Sequence, residues 1–156
     1  MLLYRICRAR HPPLDGMGAF HVGGRWSPPR IRLVYTSSTL SLAMLEVLAH
    51  HRRDRAPADY MRVTVELPDA TPVTAVPLRS LPRGWQRYPA PTSLQGIGAR
   101  WAREGRTPLL RVPSALVDPA SGEFNYLLNP QHPALARLRP REVVPFSFDV
   151  RLARGR

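Results

Sequence analysis

The stretch from Ile31 to His51 sets the tightest limits on how this chain can fold. Ile31-Arg32-Leu33-Val34-Tyr35-Thr36 alternates with the two-residue period of a strand. Ser37-Ser38-Thr39 follows, three hydroxyl side chains able to cap the first free amides of a helix. From Leu40 to Ala49 the chain is apolar almost all the way round, so a helix from about Ser38 to His51 is expected to bury most of its circumference. Glu46 is the single charge inside that run. A lone carboxylate among apolar neighbours is costly unless it is paired or hydrogen-bonded, so it demands a reason.

The remaining elements follow from the same rules. Leu2, Tyr4 and Ile6 alternate with Leu3, Arg5 and Cys7, a first strand over residues 1–8. Pro13, Gly16, Gly18 and Gly23-Gly24 mark residues 9–24 as loop. Arg52-Arg53-Asp54-Arg55 and Pro57 end the first helix, and Met61 to Leu67 alternates as a half-buried strand that Pro68 stops. Prolines recur from Ala70 to Pro91, which predicts an excursion holding at most one short strand. Thr92 or Ser93 then caps a second helix through Trp101, closed by Gly105. Leu109–Val112 and Phe124–Leu128 read as short strands, Pro133–Arg137 as a short helix, and Phe146–Leu152 as a two-faced final strand. The sum is one α+β domain over 1–156, a mixed β core with two main helices and long Pro-rich loops.

Composition narrows the function classes. The chain has 156 residues and 44% hydrophobic content, enough for a sizeable core. Eighteen prolines, against an average share of roughly 5%, fit short elements joined by ordered loops. One cysteine, Cys7, leaves no internal disulfide and fits a reducing compartment. No apolar run approaches membrane-spanning length, and none resembles a signal peptide, so a cytoplasmic protein is expected. Formal net charge is +12, carried by arginine without lysine. The arginines are scattered and aromatics are sparse at 8%. That pattern favours a small anion or an acidic partner over nucleic acid, which would want a basic stripe with stacking rings. No His, Cys and carboxylate cluster has metal-ligand spacing, so no metal is expected.

Several residues stand out chemically. Arg25 follows the Gly23-Gly24 pair, where backbone can approach a ligand and a guanidinium fork can grip phosphate oxygens. Taken alone, Gly-Gly-Arg is most simply a turn with a surface arginine. Tyr35 shares a strand face with Ile31 and Leu33 and would ordinarily be a core tyrosine. Ser114 and Asn129 each sit just past an apolar strand, where either a turn or a cleft contact is possible. His50 and His51 follow the helix, in position to complement its C-terminus, and His132 reads as structural.

In order along the chain, Arg5, Arg25 in GGRW, Tyr35 in VYTS, Glu46 in AMLEVL, Ser114 in VPSA and Asn129 in NPQHP resemble the RES-domain family. Its members are toxins of bacterial toxin–antitoxin pairs, with a fold related to ADP-ribosyltransferase toxins. The resemblance implies an enzyme that binds NAD⁺ as substrate and cleaves its nicotinamide–ribose bond. ADP-ribose would pass to a protein acceptor, or to water or phosphate with NAD⁺ depletion; both fates stay open. It implies catalytic roles for Glu46, Tyr35 and Arg25. Arg5, Arg25, Tyr35, Ser114 and Asn129 would bind NAD⁺, with the Tyr35 ring as a wall for the nicotinamide. Glu46 would answer the positive charge that develops on the sugar, as in glycoside hydrolysis. The implied partner is an antitoxin with a helix-turn-helix domain that covers the active site. The competing reading from another class is a basic RNA-binding module or a metal-independent ribonuclease toxin; a nuclease would want a metal-binding carboxylate cluster or a His pair as acid and base, and the acidic residues here are few and scattered.

Overall fold

The computed structural model describes residues 1–11, 13–50 and 59–152. Among them, seven strands form one mixed sheet: β1 (Leu2–Arg8), β2 (Val34–Ser37), β3 (Tyr60–Glu66), β4 (Val73–Ala75), β5 (Leu109–Pro113), β6 (Phe124–Leu128) and β7 (Glu142–Phe146). The order across the sheet is β4-β5-β6-β2-β1-β3-β7. Only β4 against β5 is parallel; the other pairs are antiparallel. The helices are α1 (Met17–Val22), α2 (Leu40–His50) and α3 (Thr92–Glu104).

Register decides which side chains share a face, because directly opposed residues point the same way. Tyr35 opposes Leu127 and Ser37 opposes Asn125, while Leu110 and Val112 oppose Leu127 and Asn125 from the far side. Leu94 and Trp101 of α3 pack on this face with Leu110, Val112 and Leu127. Tyr4 opposes Ser37 and so belongs to the same face, where Tyr4 and Ile6 meet Ala43 and Val47 of α2. Both long helices therefore cover one side of the sheet. The other side carries Leu3, Val34, Val63, Val65, Leu109 and Leu128, closed over by Leu67 and Leu135.

Several elements differ from the sequence expectation, each for a local reason. Within the expected 9–24 loop lies α1, six residues long, too short for an apolar period to register. It is bounded by Gly16 and Gly23, both at φ 71, a left-handed conformation that suits glycine. Thr39 accepts the amide of Leu42 at 3.1 Å and caps α2 as expected. However, only Leu42 and Ala43 of α2 are fully buried, and Leu45 is 44% exposed, so the helix is half-covered rather than encased. Neither Thr92 nor Ser93 caps α3; Pro91 takes that position without a side-chain bond. The expected final strand over Phe146–Leu152 is replaced by β7 at Glu142–Phe146 and a 3₁₀ turn at Val150–Leu152. Pro145 is tolerated because β7 is an edge strand. Asp149 then accepts the amide of Arg151 at 2.9 Å, and this turn wins over a ladder. The end of the first helix at His51 and its stop at Arg52–Pro57 lie outside the described residues.

Candidate active site

The site begins where the sheet comes apart. Strands β1 and β3 are paired along seven positions, from Leu2 opposite Glu66 to Arg8 opposite Tyr60. By contrast, β1 and β2 are paired only at Tyr4 and Ser37. Beyond that point the two strands have no ladder, and the backbone carbonyl of Tyr35 takes a bond from Arg5 Nη1 at 3.1 Å instead. A cleft of about 680 Å³ lies here, lined among others by Arg5, Arg25, Tyr35, Glu46, Tyr88 and Asn125. Sites for small molecules typically run from roughly 300 to 1,000 Å³, so the volume suits one such ligand. Arg5 Nε is buried and meets no acceptor among the described residues. An unsatisfied buried donor at a cleft is a group held ready for a ligand's acceptor.

The Gly23–Ser27 loop is held from three sides. Gly24 and Ser27 bridge across it, and the φ of 71 at Gly23 starts the turn. The Tyr35 hydroxyl accepts the Trp26 amide at 3.2 Å and lies 3.1 Å from Ser27 Oγ. From α3, Gln95 Nε2 donates to the Gly24 carbonyl at 3.1 Å. At Gly98 a Cβ would stand 2.0 Å from the Trp26 carbonyl oxygen, so only glycine lets α3 approach. Gly24 has a similar duty, since a Cβ there would stand 2.6 Å from the Tyr35 hydroxyl. Trp26 is the anchor, 2% exposed. Burial pushes the Tyr35 hydroxyl's pKa above its ordinary value; the bonds with Ser27 and Trp26 oppose that shift, and the Glu46 charge adds to it.

This loop aims Arg25 into the cleft. Its Nη1 donates to the carbonyl of Trp85 at 2.7 Å, and both Nη atoms reach the Arg87 carbonyl, at 3.3 and 3.4 Å. The fork is thereby fixed to the Pro-rich excursion, with N–H groups to spare for an anion. Burial lowers the pKa of its guanidinium, and the negative charge of Glu46 works the other way.

Glu46 stands at the centre. Ser114 Oγ donates to its Oε1 at 2.8 Å, and Asn125 Nδ2 donates to the same oxygen at 2.5 Å. Behind Asn125, Ser37 Oγ donates to Asn125 Oδ1 at 2.7 Å. These bonds supply the reason a carboxylate can occupy α2: two strands of the sheet send donors to it. The arrangement offers a fixed carboxylate, two guanidinium groups and an aromatic ring around one cleft, which suits an anionic ligand that develops positive charge on reacting.

Of the sequence candidates, the structure brings Arg5, Arg25, Tyr35 and Glu46 to the cleft. Ser114 is 2% exposed, and its hydroxyl is committed to Glu46 and to the Leu116 amide at 3.0 Å. It supports the carboxylate rather than lining the cavity. Asn129 is not brought there: it follows the opposite end of β6 from Asn125, where its amide donates to the Ala102 carbonyl at 3.1 Å and its Oδ1 accepts the Gln131 amide. In this structure Asn129 instead makes a turn that ties β6 to α3. His50 Nδ1 donates to the Glu46 carbonyl at 2.8 Å, and His132 Nδ1 accepts the Ala134 amide; His51 lies outside the described residues. Asn125 was missed by sequence reading. The available signal was an amide on the inward face of the apolar segment Phe124–Leu128. Among the described residues, no group of three His, Cys, Asp or Glu side chains is placed to hold a metal ion.

Comparison with known proteins agrees with this architecture. The RES domain family profile matches residues 2–149. The Prs ADP-ribosylating toxin of Sphingobium sp. (strain YBL2) is 37% identical over 144 residues, covering 90% of this chain and 87% of that protein. Toxin Res of Yersinia enterocolitica is 34% identical over 155 residues, covering 97% and 99%. Toxin Res of Pseudomonas putida is 36% identical over 156 residues, with the same coverage. The crystal structure of the M. tuberculosis MbcT–MbcA toxin–antitoxin complex has a chain of the same fold, with a TM-score of 0.71 at 20% identity, over 94% of this chain and 84% of that one.

Proposed function

The chain belongs to the RES-domain family, and from that premise we propose that it is the toxin of a toxin–antitoxin pair, acting as one unit over 1–156. Its substrate is NAD⁺, bound in the cleft between β1 and β2. The observation that carries this reading is Glu46, a carboxylate fixed by Ser114 and Asn125 at a cleft that also holds two arginines and Tyr35. Arg5 and Arg25 hold the pyrophosphate, for which the free Nε of Arg5 and the fork of Arg25 are suited. The Tyr35 ring faces the nicotinamide, whose positive charge gains from a π face.

The chemistry follows from charge. The bond between the nicotinamide nitrogen and ribose C1′ breaks, and the electron pair leaves with nicotinamide. Positive charge then grows on the sugar. Glu46 stabilises that charge more in the transition state than in the ground state, which is the condition for acceleration. An acceptor next bonds to C1′ and gives up its proton. The acceptor is a protein side chain in one branch and water or phosphate in the other. A relative at 37% identity is named an ADP-ribosylating toxin, which supports the first branch without excluding the second.

The partner is an antitoxin that covers the active site and carries the helix-turn-helix domain. Exposed apolar side chains at the cleft support such a cover: Val22 and Tyr88 are 80% and 85% exposed. No helix among the described residues is long and apolar enough to cross a membrane, and action in the cytoplasm is part of this proposal. The test is incubation of the purified chain with NAD⁺ carrying a labelled nicotinamide, with and without antitoxin. Release of free nicotinamide that antitoxin suppresses supports the reading. Intact NAD⁺ beside degraded RNA would overturn it.

A further inference from the structure

A carboxylate on a helix is a loose tool, because its terminal torsion is broad and two-fold. At Glu46 two donors converge on one oxygen, Oε1, from the ends of two different strands: Ser114 after β5 and Asn125 within β6. Among the described residues no donor meets Oε2. Asn125 is 8% exposed and Ser37, its directly opposed partner on β2, is 3% exposed. The side-chain chain runs one way. A carboxylate can only accept, so the Asn125 amide must turn its NH₂ toward Glu46. That places Oδ1 toward Ser37, whose hydroxyl donates at 2.7 Å. Glu46 thus settles which way the Asn125 amide faces, and the Ser37 hydroxyl, able to donate or accept, ties down its Oδ1. A buried polar pair costs stability relative to the apolar residues that would fit a strand, so it calls for a function.

We propose that Asn125, held in place by Ser37, is a positioning residue for the reaction: it commits Oε1 of Glu46 to the protein and presents Oε2 to the ribose. This rests on the NAD⁺ reading above. Asn125 itself acts through Glu46. Its removal changes how well the carboxylate is placed in the transition state, so kcat falls while KM for NAD⁺ holds.

The decisive variant is Asn125→Asp, which keeps the shape but sets a second carboxyl against Oε1. Two adjacent carboxyls share a proton, and one titrates well above its ordinary range. At pH 8 the variant therefore lacks the donor, and kcat falls by about tenfold or more, the scale for losing one hydrogen bond to a charged group. As pH drops toward 5.5 the shared proton restores a donor to Glu46, and the deficit relative to the parent shrinks. A readout without NAD⁺ accompanies it. The shared proton is bound more tightly in the folded chain, so its stabilisation is present at low pH and is lost as pH rises through the raised pKa. The melting-temperature deficit of the variant should therefore be small at pH 5.5 and larger at pH 8. Ser37→Ala keeps the fold and leaves the Asn125 side chain without its bond at Oδ1, so kcat drops several-fold, by about the strength of one hydrogen bond, at unchanged KM. It carries the test alone if Asn125→Asp fails to fold. Parent-like kcat in the folded variants, or a loss that is the same at every pH, overturns the positioning role. No nicotinamide release by the parent overturns the NAD⁺ reading itself, and this proposal with it.

Discussion

The Tyr35 hydroxyl allows a sharp test, because ring and hydroxyl have separate duties. Tyr35→Phe keeps the ring at the cleft and removes only the oxygen that accepts the Trp26 amide and meets Ser27 Oγ. Ser27 is fully buried, and Trp26 is 2% exposed. A buried donor stranded in this way costs about 1–3 kcal/mol. For a domain of this size each kcal/mol moves the melting temperature by roughly 2–4 °C, so the variant should melt about 2–12 °C below the parent. The loosened loop also carries Arg25, so KM for NAD⁺ should rise more than kcat falls. The alkaline limb gives an independent check. Burial raises the folded pKa of Tyr35, so its stabilisation is complete below the unfolded value near 10 and is lost as pH rises past it. The parent should lose stability above about pH 10 more steeply than Tyr35→Phe. Thermal melts from pH 8 to 11 and NAD⁺ titration measure both. Equal melting within about 1 °C, with KM unchanged, would refute the claim that this hydroxyl holds the loop, and the ring alone would account for Tyr35.

Other perturbations separate support from chemistry. Gly98→Ala puts a Cβ 2.0 Å from the Trp26 carbonyl, so α3 must shift. It should lower the melting temperature and weaken NAD⁺ binding together, checked by melts and titration. Ser114→Ala removes one of two donors to Glu46 and should reduce kcat by about tenfold with KM held, read by steady-state nicotinamide release. Leu128→Ala empties a site 1% exposed on the far face of the sheet. It should cost about 2–5 kcal/mol in denaturant unfolding and leave KM for NAD⁺ as in the parent.

Local pattern carried much of this structure into the sequence. The strand at Leu2–Arg8, the helix over Leu40–His50 and the strand at Tyr60–Glu66 are visible because their periods run long enough to count. Glu46 was visible for the opposite reason, as a charge that breaks its helix's apolar run. What stayed hidden depended on register and packing. The parting of β1 from β2 after Tyr4 leaves no trace in either strand's sequence, yet it opens the cleft. Asn125 becomes a partner of Glu46 only because β6 pairs with β2 at Ser37. The alternation of Phe146, Phe148, Val150 and Leu152 imitated a strand, and Asp149 turned the chain instead. Asn129 looked equivalent to Ser114, each just past a strand, but their strands are antiparallel neighbours and finish at opposite ends of the sheet.

The central claim is that the Glu46 charge, rather than its bulk or hydrogen bonding, drives cleavage of NAD⁺. Glu46→Gln tests it most directly, since the amide keeps the shape and an oxygen for Ser114 while the negative charge is gone. The measurement is the single-turnover rate of nicotinamide release, alongside NAD⁺ affinity and melting temperature on the same samples. The predicted result is a folded variant that binds NAD⁺ near parental affinity and releases nicotinamide at least roughly 10²-fold more slowly. A folded variant that releases nicotinamide at the parental rate would contradict the account.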